Sequence, residues 1–429
     1  MKVRHLENLQ ETVHSRELEN GLKVHVLPKK GFSRTYALFS TKYGSIDSRF
    51  RVEGRGEVHV PDGIAHFLEH KLFEEPDGGD VFAKFSLRGA SANAYTTFDR
   101  TSYLFSATDN IPENVEQLLD FVQNPHFTDA SVEKEKGVIA QEIRMYRDQP
   151  GWRSYYGLIE AMFWAHPVRI DIAGTEESIG RITKEMLYDC HRTFYHPSNM
   201  HLIVVGGVDP ERMFRTVERN QAGKTFGPPP VVERLLPDEP PAVRERENRI
   251  RLAVAMPRCL FGFKEADHPA DPQALLDREL EMGLALDLLF GPSSGLYQTL
   301  YEEGLITDSF GADFMCREGA AFSVIGGDTP DPDRLLARVR ELVAEAAERG
   351  FRRDDFERCV RKRLGAFFKL FNYPEAIARE FSHHAFRGTD LFSVPERYAA
   401  MTRERVEERL RKHVDWERFC ACVVENRPA

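Results

Sequence analysis

The sequence predicts an α+β protein made of two domains of similar pattern, and three observations carry that prediction. At 429 residues and 41% hydrophobic content the chain is long for a single core. A proline-rich stretch from Ala222 to Val243 divides it near the middle. It contains Gly227-Pro228-Pro229-Pro230 and Pro237-Asp238-Glu239-Pro240-Pro241, which neither continue a helix nor suit a central strand. On both sides of it the same order recurs: strands, helices, and a closing apolar strand. We read the domains as residues 1–228 and 229–429.

The first half opens with a hairpin, because Asn20-Gly21 precedes Leu22 to Leu27, which alternate in period two. Tyr36 to Thr41 is a strand. Asp62 to Phe73 is a helix, with Asp62 as its cap and Ile64, Phe67, Leu68 and Leu72 as its apolar face. Ala92 to Ser106 is β in character. Pro112 to Val122, Asp129 to Met145 and Thr183 to Tyr195 are helices, and His201 to Val205 is a buried strand. In the second half an offset of 224 sets Ser131-Val132-Glu133-Lys134 on Asp355-Phe356-Glu357-Arg358 and Pro150 on Pro374. Ser91 to Thr108 resembles Gly311 to Asp328, and His201 to Val205 resembles Phe419 to Val423. We read this as a duplication. Gly326-Gly327 is read as a turn, since no Lys-Ser/Thr follows to make a phosphate loop.

Composition narrows the function classes. With 29% charged residues, 11% aromatic residues and no biased tract, the chain is globular. A formal charge of −10 argues against nucleic acid as a partner. Met1 to Asn20 holds no apolar signal-like core, and no apolar run reaches membrane-spanning length, so no membrane partner is expected. Cys190, Cys259, Cys316, Cys359, Cys420 and Cys422 lack CxxC spacing and read as reduced core thiols. The expected location is cytoplasmic.

The chemistry lies in His66-Phe67-Leu68-Glu69-His70. Histidines four apart share one helix face and reach one ion. Zn²⁺ suits two imidazoles and a carboxylate with a fourth position for water. Glu69 lies near the same face, placed to take a proton from that water. A pair of surface histidines would ordinarily be solvated. These are embedded among Ile64, Ala65, Phe67 and Leu68, where an unpaired imidazole is costly. A third ligand must come from farther along. The helix around Glu133 offers Glu135 and Glu142, seven apart and two turns along one face. One would bind the metal and the other would steady the site.

Together, Gly63 to His70, Ser91-Ala92-Asn93-Ala94-Tyr95-Thr96, Glu135 to Glu142, Gly174 to Ile179 and Tyr195 to Met200 resemble the pitrilysin family of inverzincin peptidases. That family includes mitochondrial processing peptidase, and the likeness is greatest to its bacterial two-domain subgroup. The resemblance implies a pitrilysin-like fold of two homologous α+β domains forming half of a clamshell, closed by a second such chain. It implies one Zn²⁺ per chain, held by His66, His70 and Glu142, with Glu135 in support and Glu69 catalytic. It further implies that a peptide substrate lies on the strand of Ala92, Asn93, Ala94 and Tyr95. The family also carries an Arg and a Tyr in its second domain, in a stretch resembling R-x-x-x-G-L-x-Y. Here the matching stretch has Tyr301 in the Arg position and Thr307 in the Tyr position, and Ala366 stands where a second Glu142 would fall. The expectation is a zinc endopeptidase acting on unfolded or short peptides as the catalytic subunit of a heterodimer. A homologous partner would supply the Arg/Tyr pair. The alternatives are a homodimer, or a non-catalytic scaffold or processing subunit of the same fold.

Overall fold

The computed structural model describes residues 2–76 and 78–426. It divides into two compact units, which do not follow chain order. The first takes Met1–Ile143, Asp171–Leu235 and Phe368–Phe392; the second takes Arg144–Ile170, Leu236–Phe367 and Ser393–Ala429.

The first unit holds β1 (Lys2–Leu6), β2 (Glu11–Glu17), β3 (Lys23–Pro28), β4 (Thr35–Thr41), β5 (Arg49–Val52), β6 (Gly56–His59), β7 (Ala90–Thr96), β8 (Thr101–Ala107), β9 (Met200–Gly206) and β10 (Val232–Arg234). Seven of them form one sheet in the order β1-β2-β3-β9-β4-β8-β7, and β10-β5-β6 form a small second one. The Asn20-Gly21 turn joins β2 to β3 as an antiparallel pair, with Gly21 at φ +86°. The second unit holds β11 (Glu247–Arg251), β12 (Arg258–Phe263), β13 (Gly311–Arg317), β14 (Ala320–Asp328) and β15 (Phe419–Glu425), in the order β11-β15-β12-β14-β13.

These five strands repeat the run β3-β9-β4-β8-β7, down to the single parallel pair: β3 is parallel to β9, and β11 to β15. The remaining neighbours are antiparallel in both runs.

Four helices matter for the site: α1 (Ile64–Lys71), α2 (Asp129–Arg147), α3 (Pro150–Met162) and α4 (Pro374–Arg387). In the first unit, Phe67 and Leu68 of α1 join Phe39, Tyr103 and Phe105 of the sheet and Leu118 and Leu119 in one buried core. The opposite face of that sheet is covered at β4 and β9 by α4, where Phe381 and Phe386 pack on the rings of His25 and His201 at 4.8 and 4.6 Å. Correspondingly, α3 lies on β15, β12 and β11 of the second unit. A Cβ at Gly157 of α3 would stand 2.6 Å from the Cys422 sulfur, so only glycine allows this approach. Each helix thus covers a sheet from the other half of the sequence.

Two local expectations need correction. Asp62 does not cap α1; the cap is Gly63 at φ +88°, and no side chain serves. Its backbone runs against Ala173, whose carbonyl oxygen would lie 2.4 Å from a Cβ there, so a side chain is excluded. Gly326-Gly327 is strand rather than turn. At Gly326 in β14 a Cβ would meet the Cys259 carbonyl at 2.0 Å, so glycine serves strand proximity. All six cysteines are buried, and no disulfide joins them. Among the described residues no helix is long and apolar enough to cross a membrane.

Candidate metal centre

The HxxEH spacing does what a helix requires of it: His66 and His70 stand on one side of α1, ring centroids 4.6 Å apart. The entrance of α1 is fixed from outside. Ser178 donates to the Asp62 carbonyl at 2.8 Å, from a short helix that Thr175 and Ser178 close as a capping box. The stretch Gly174 to Ile179 therefore supports the motif helix.

Glu142 comes from α2. Its Oε2 lies 3.8 Å from His66 Nε2 and 3.6 Å from His70 Nε2. One ligand atom from each of the three falls within 4.8 Å of the others, and among the described residues this is the one group so arranged. Ligands of a tetrahedral zinc with ~2.0 Å bonds stand roughly 3.3 Å apart, so these three groups would seat an ion by drawing inward. Glu135, two turns earlier, accepts from His70 Nδ1 at 3.0 Å. In the neutral ring that bond favours the tautomer with its proton on Nδ1, whose Nε2 lone pair faces Glu142. The Nδ1 of His66 is buried without a hydrogen-bond partner.

Charge follows the same division. Burial, helped by His70, pushes the His66 pKa down to about 3, so the ring stays neutral. For His70 burial acts downward, but the bond to Glu135 and the charges of Glu69, Glu135 and Glu142 outweigh it and raise the value. Burial pushes Glu69 up to about 7, opposed by a 2.5 Å bond from the Thr96 hydroxyl to its Oε2. The donor set would fit zinc: two imidazole nitrogens and one carboxylate, with the Glu69 carboxylate close by.

The structure brings Ala92, Asn93, Ala94 and Tyr95 to β7, which among the described residues is an edge strand paired with β8 and packed beside α1. Thr96, at the end of that strand, was not among the sequence candidates. Its signal was alternation: it shares a face with Ala92 and Ala94, the face that meets α1. In the second unit Tyr301 is exposed and stacks on Tyr297 at 6.2 Å, while Thr307 bonds Ser309 at 2.8 Å. Counted four back from Gly304, the Arg register falls on buried Leu300 rather than Tyr301, and neither supplies a guanidinium.

A second hydrolytic constellation is present in form alone. His413 Nδ1 lies 2.5 Å from Glu265 and its Nε2 lies 2.9 Å from the Ser323 hydroxyl, but all three are buried. Ser323 Oγ also accepts from the Phe263 amide at 3.0 Å. A nucleophile needs access that these side chains lack. His196 accepts from the Ser198 amide at 3.2 Å and caps a turn, and His384 bonds Thr389 at 2.9 Å; both are structural.

Residues 55–176 match the family model for insulinase (peptidase family M16), and residues 181–363 match that for the peptidase M16 inactive domain. The chain belongs to peptidase family M16. It is 50% identical over 419 residues to the uncharacterized zinc protease YmfH of Bacillus subtilis, covering 97% of both chains. It is 32% identical over 306 residues to the uncharacterized zinc protease ML0855 of Mycobacterium leprae, covering 68% of this chain and 65% of that one. The crystal structure of an M16-like peptidase from Alicyclobacillus acidocaldarius superposes with a TM-score of 0.95 at 42% identity, over 99% of this chain and 100% of the other. A Helicobacter pylori protease shares the fold at a TM-score of 0.82 and 18% identity, over 96% and 99%. The two α+β domains are therefore M16 domains, the zinc motif lying in the first.

Proposed function

We propose that this M16 chain is a zinc endopeptidase, and that it is the catalytic subunit of a heterodimer cleaving unfolded or short peptides inside a chamber. The observation that carries the reading is the convergence of His66 Nε2, His70 Nε2 and Glu142 beside a buried carboxylate, Glu69. Zinc in that position supplies a Lewis acid for the scissile carbonyl and its water. Glu69 receives the proton of the attacking water on the oxygen that Thr96 leaves unbonded and delivers it to the departing amine. Glu135 holds the His70 ring in its working tautomer. β7 takes the peptide as a further strand along Ala92 to Tyr95. The repeats divide at 228/229, and the second lacks an Arg/Tyr pair, so a homologous chain would provide it. Six buried cysteines outside any disulfide favour a cytoplasmic setting.

The test is metal content together with cleavage of an unfolded protein and of quenched peptides, by the chain alone and mixed with a homologue lacking HxxEH. The reading requires one zinc per chain and chelator-sensitive cleavage. A zinc-loaded preparation that cuts no peptide in either setting would leave the scaffold alternative standing instead.

A further inference from the structure

The edge strand β7 has two faces, and one of them belongs to the metal centre. Thr96 meets Glu69 on the α1 side, where Ala92 and Ala94 pack against the core. By pleat alternation Ser91, Asn93 and Tyr95 project to the opposite face, the one α4 covers over β4 and β9. Arg379 of α4 reaches this face. Its Cζ stands 4.9 Å from the centroid of the Tyr95 ring, and its Nε makes a long bond of 3.4 Å to the Tyr36 hydroxyl.

Both of these partners are neutral, and Arg379 is exposed. Glu375, one turn earlier on α4, acts on the guanidinium only through its field. Arg100, after the β7 strand, differs: it lies 3.3 Å from Asp99 and donates to His383 Nδ1 at 3.2 Å, so its charge is engaged. Arg379 offers a planar donor fork, steadied by an aromatic face, beside a sheet edge.

A peptide added to β7 would alternate its side chains between the same two faces. With its scissile bond beside Glu69, one of the two side chains flanking that bond would project to the face that carries Arg379. We propose that Arg379 is a specificity-determining residue that binds the carboxylate of an Asp or Glu side chain close to the scissile bond. The substrate class is peptides acidic at that position. This rests on β7 being the substrate strand. The carboxylate matches the fork in a two-bond pairing. The chain's net charge of −10 opposes acidic peptides at long range, so such a preference must come from a local cation.

The experiment uses the full zinc-loaded chain, with the homologous chain where cleavage needs it. Quenched peptides differ only in carrying Glu, Gln or Lys in turn at each position flanking the bond. At one position kcat/KM for Glu is expected to exceed that for Gln about tenfold, through KM, and less at high salt. Arg379→Gln should bring the ratio to about one, Arg379→Lys should keep part of it, and Arg379→Glu should turn the preference to Lys. Equal Glu and Gln rates at every position, or a preference unchanged in Arg379→Gln, overturns the assignment. Anisotropy with the same peptides on a Glu69→Gln background separates this from the peptidase reading. Binding that favours Glu through Arg379, without any cleavage by the Glu69-intact chain, overturns the peptidase reading and keeps Arg379. Cleavage without discrimination does the reverse, and absence of both overturns both.

Discussion

Exchanging Glu142 and Glu135 separately for glutamine tests the proposal that the first is a metal ligand and the second its support. The two carboxylates sit on one helix and differ in which imidazole atoms they address. Glu142 faces both Nε2 atoms, at 3.8 and 3.6 Å, while Glu135 bonds the far nitrogen of His70, Nδ1, at 3.0 Å. A four-ligand zinc site holds its ion with about 10–16 kcal/mol, or roughly 2.5–4 kcal/mol per ligand. Glu142→Gln removes the only anionic ligand of three and should weaken binding by about 10²–10³-fold. Glu135→Gln leaves an amide oxygen that still accepts from Nδ1–H. Its cost should fall at the low end of the outer-partner range, about tenfold. The assay is zinc content by mass spectrometry after dialysis against chelators of graded strength. Glu142→Gln should empty at a chelator strength that Glu135→Gln survives. If Glu135→Gln loses its zinc while Glu142→Gln keeps it, the ligand assignment is reversed.

Glu69→Gln should retain zinc and lose at least about 10²-fold in peptide hydrolysis, because it removes a base and not a ligand; metal loss, or activity within tenfold, contradicts that role. Mixing the chain with the homologous chain encoded nearest to it should raise kcat by about 10²–10³-fold, the value of a missing oxyanion donor; full activity alone, with no gain, refutes the heterodimer. His191 donates to the Val122 carbonyl at 2.9 Å, and burial pushes its pKa down to about 4. Below pH ~6.5 the unfolded chain takes a proton that the folded one refuses, so this residue's contribution falls with pH by up to about 3 kcal/mol near pH 4. Urea unfolding across pH 4.5–7 should show a shallower slope in His191→Gln, and an unchanged slope rejects the assignment. Gly63→Ala, forced to φ +88° with its Cβ 2.4 Å from the Ala173 carbonyl, should lower stability by more than about 1–2 kcal/mol in the same assay and should loosen zinc; a neutral result contradicts the packing described.

The parts of the site that lie close together in sequence were readable from it. Four-residue spacing puts His66 and His70 on one face whatever surrounds them, and seven-residue spacing does the same for Glu135 and Glu142. Deciding between the two glutamates from the residues alone was not possible, because the choice depends on which imidazole nitrogen each reaches. The contact of Thr96 with Glu69 joins residues 27 apart, and nothing local announces it. Strand order recurred as the duplication implied. A glycine pair in β14 looked like a turn because close approach to a neighbouring strand, and not chain reversal, was what demanded the missing side chain. The apolar pattern of α4 shows that it must be covered, but amphipathicity cannot say by which sheet.

That exchange of α3 and α4 bears on how the chain folds. A fragment ending in the proline-rich stretch would keep its own strands but also α3, whose sheet lies on the other fragment, and would lack α4. Each fragment would expose an apolar sheet face and a homeless amphipathic helix, two surfaces prone to self-association. A ribosome releasing the first half delivers a sheet that must wait more than 150 residues, from Gly206 to Pro374, for its cover. The first unit therefore gains the α4 cover of its sheet only after most of the second half has been made.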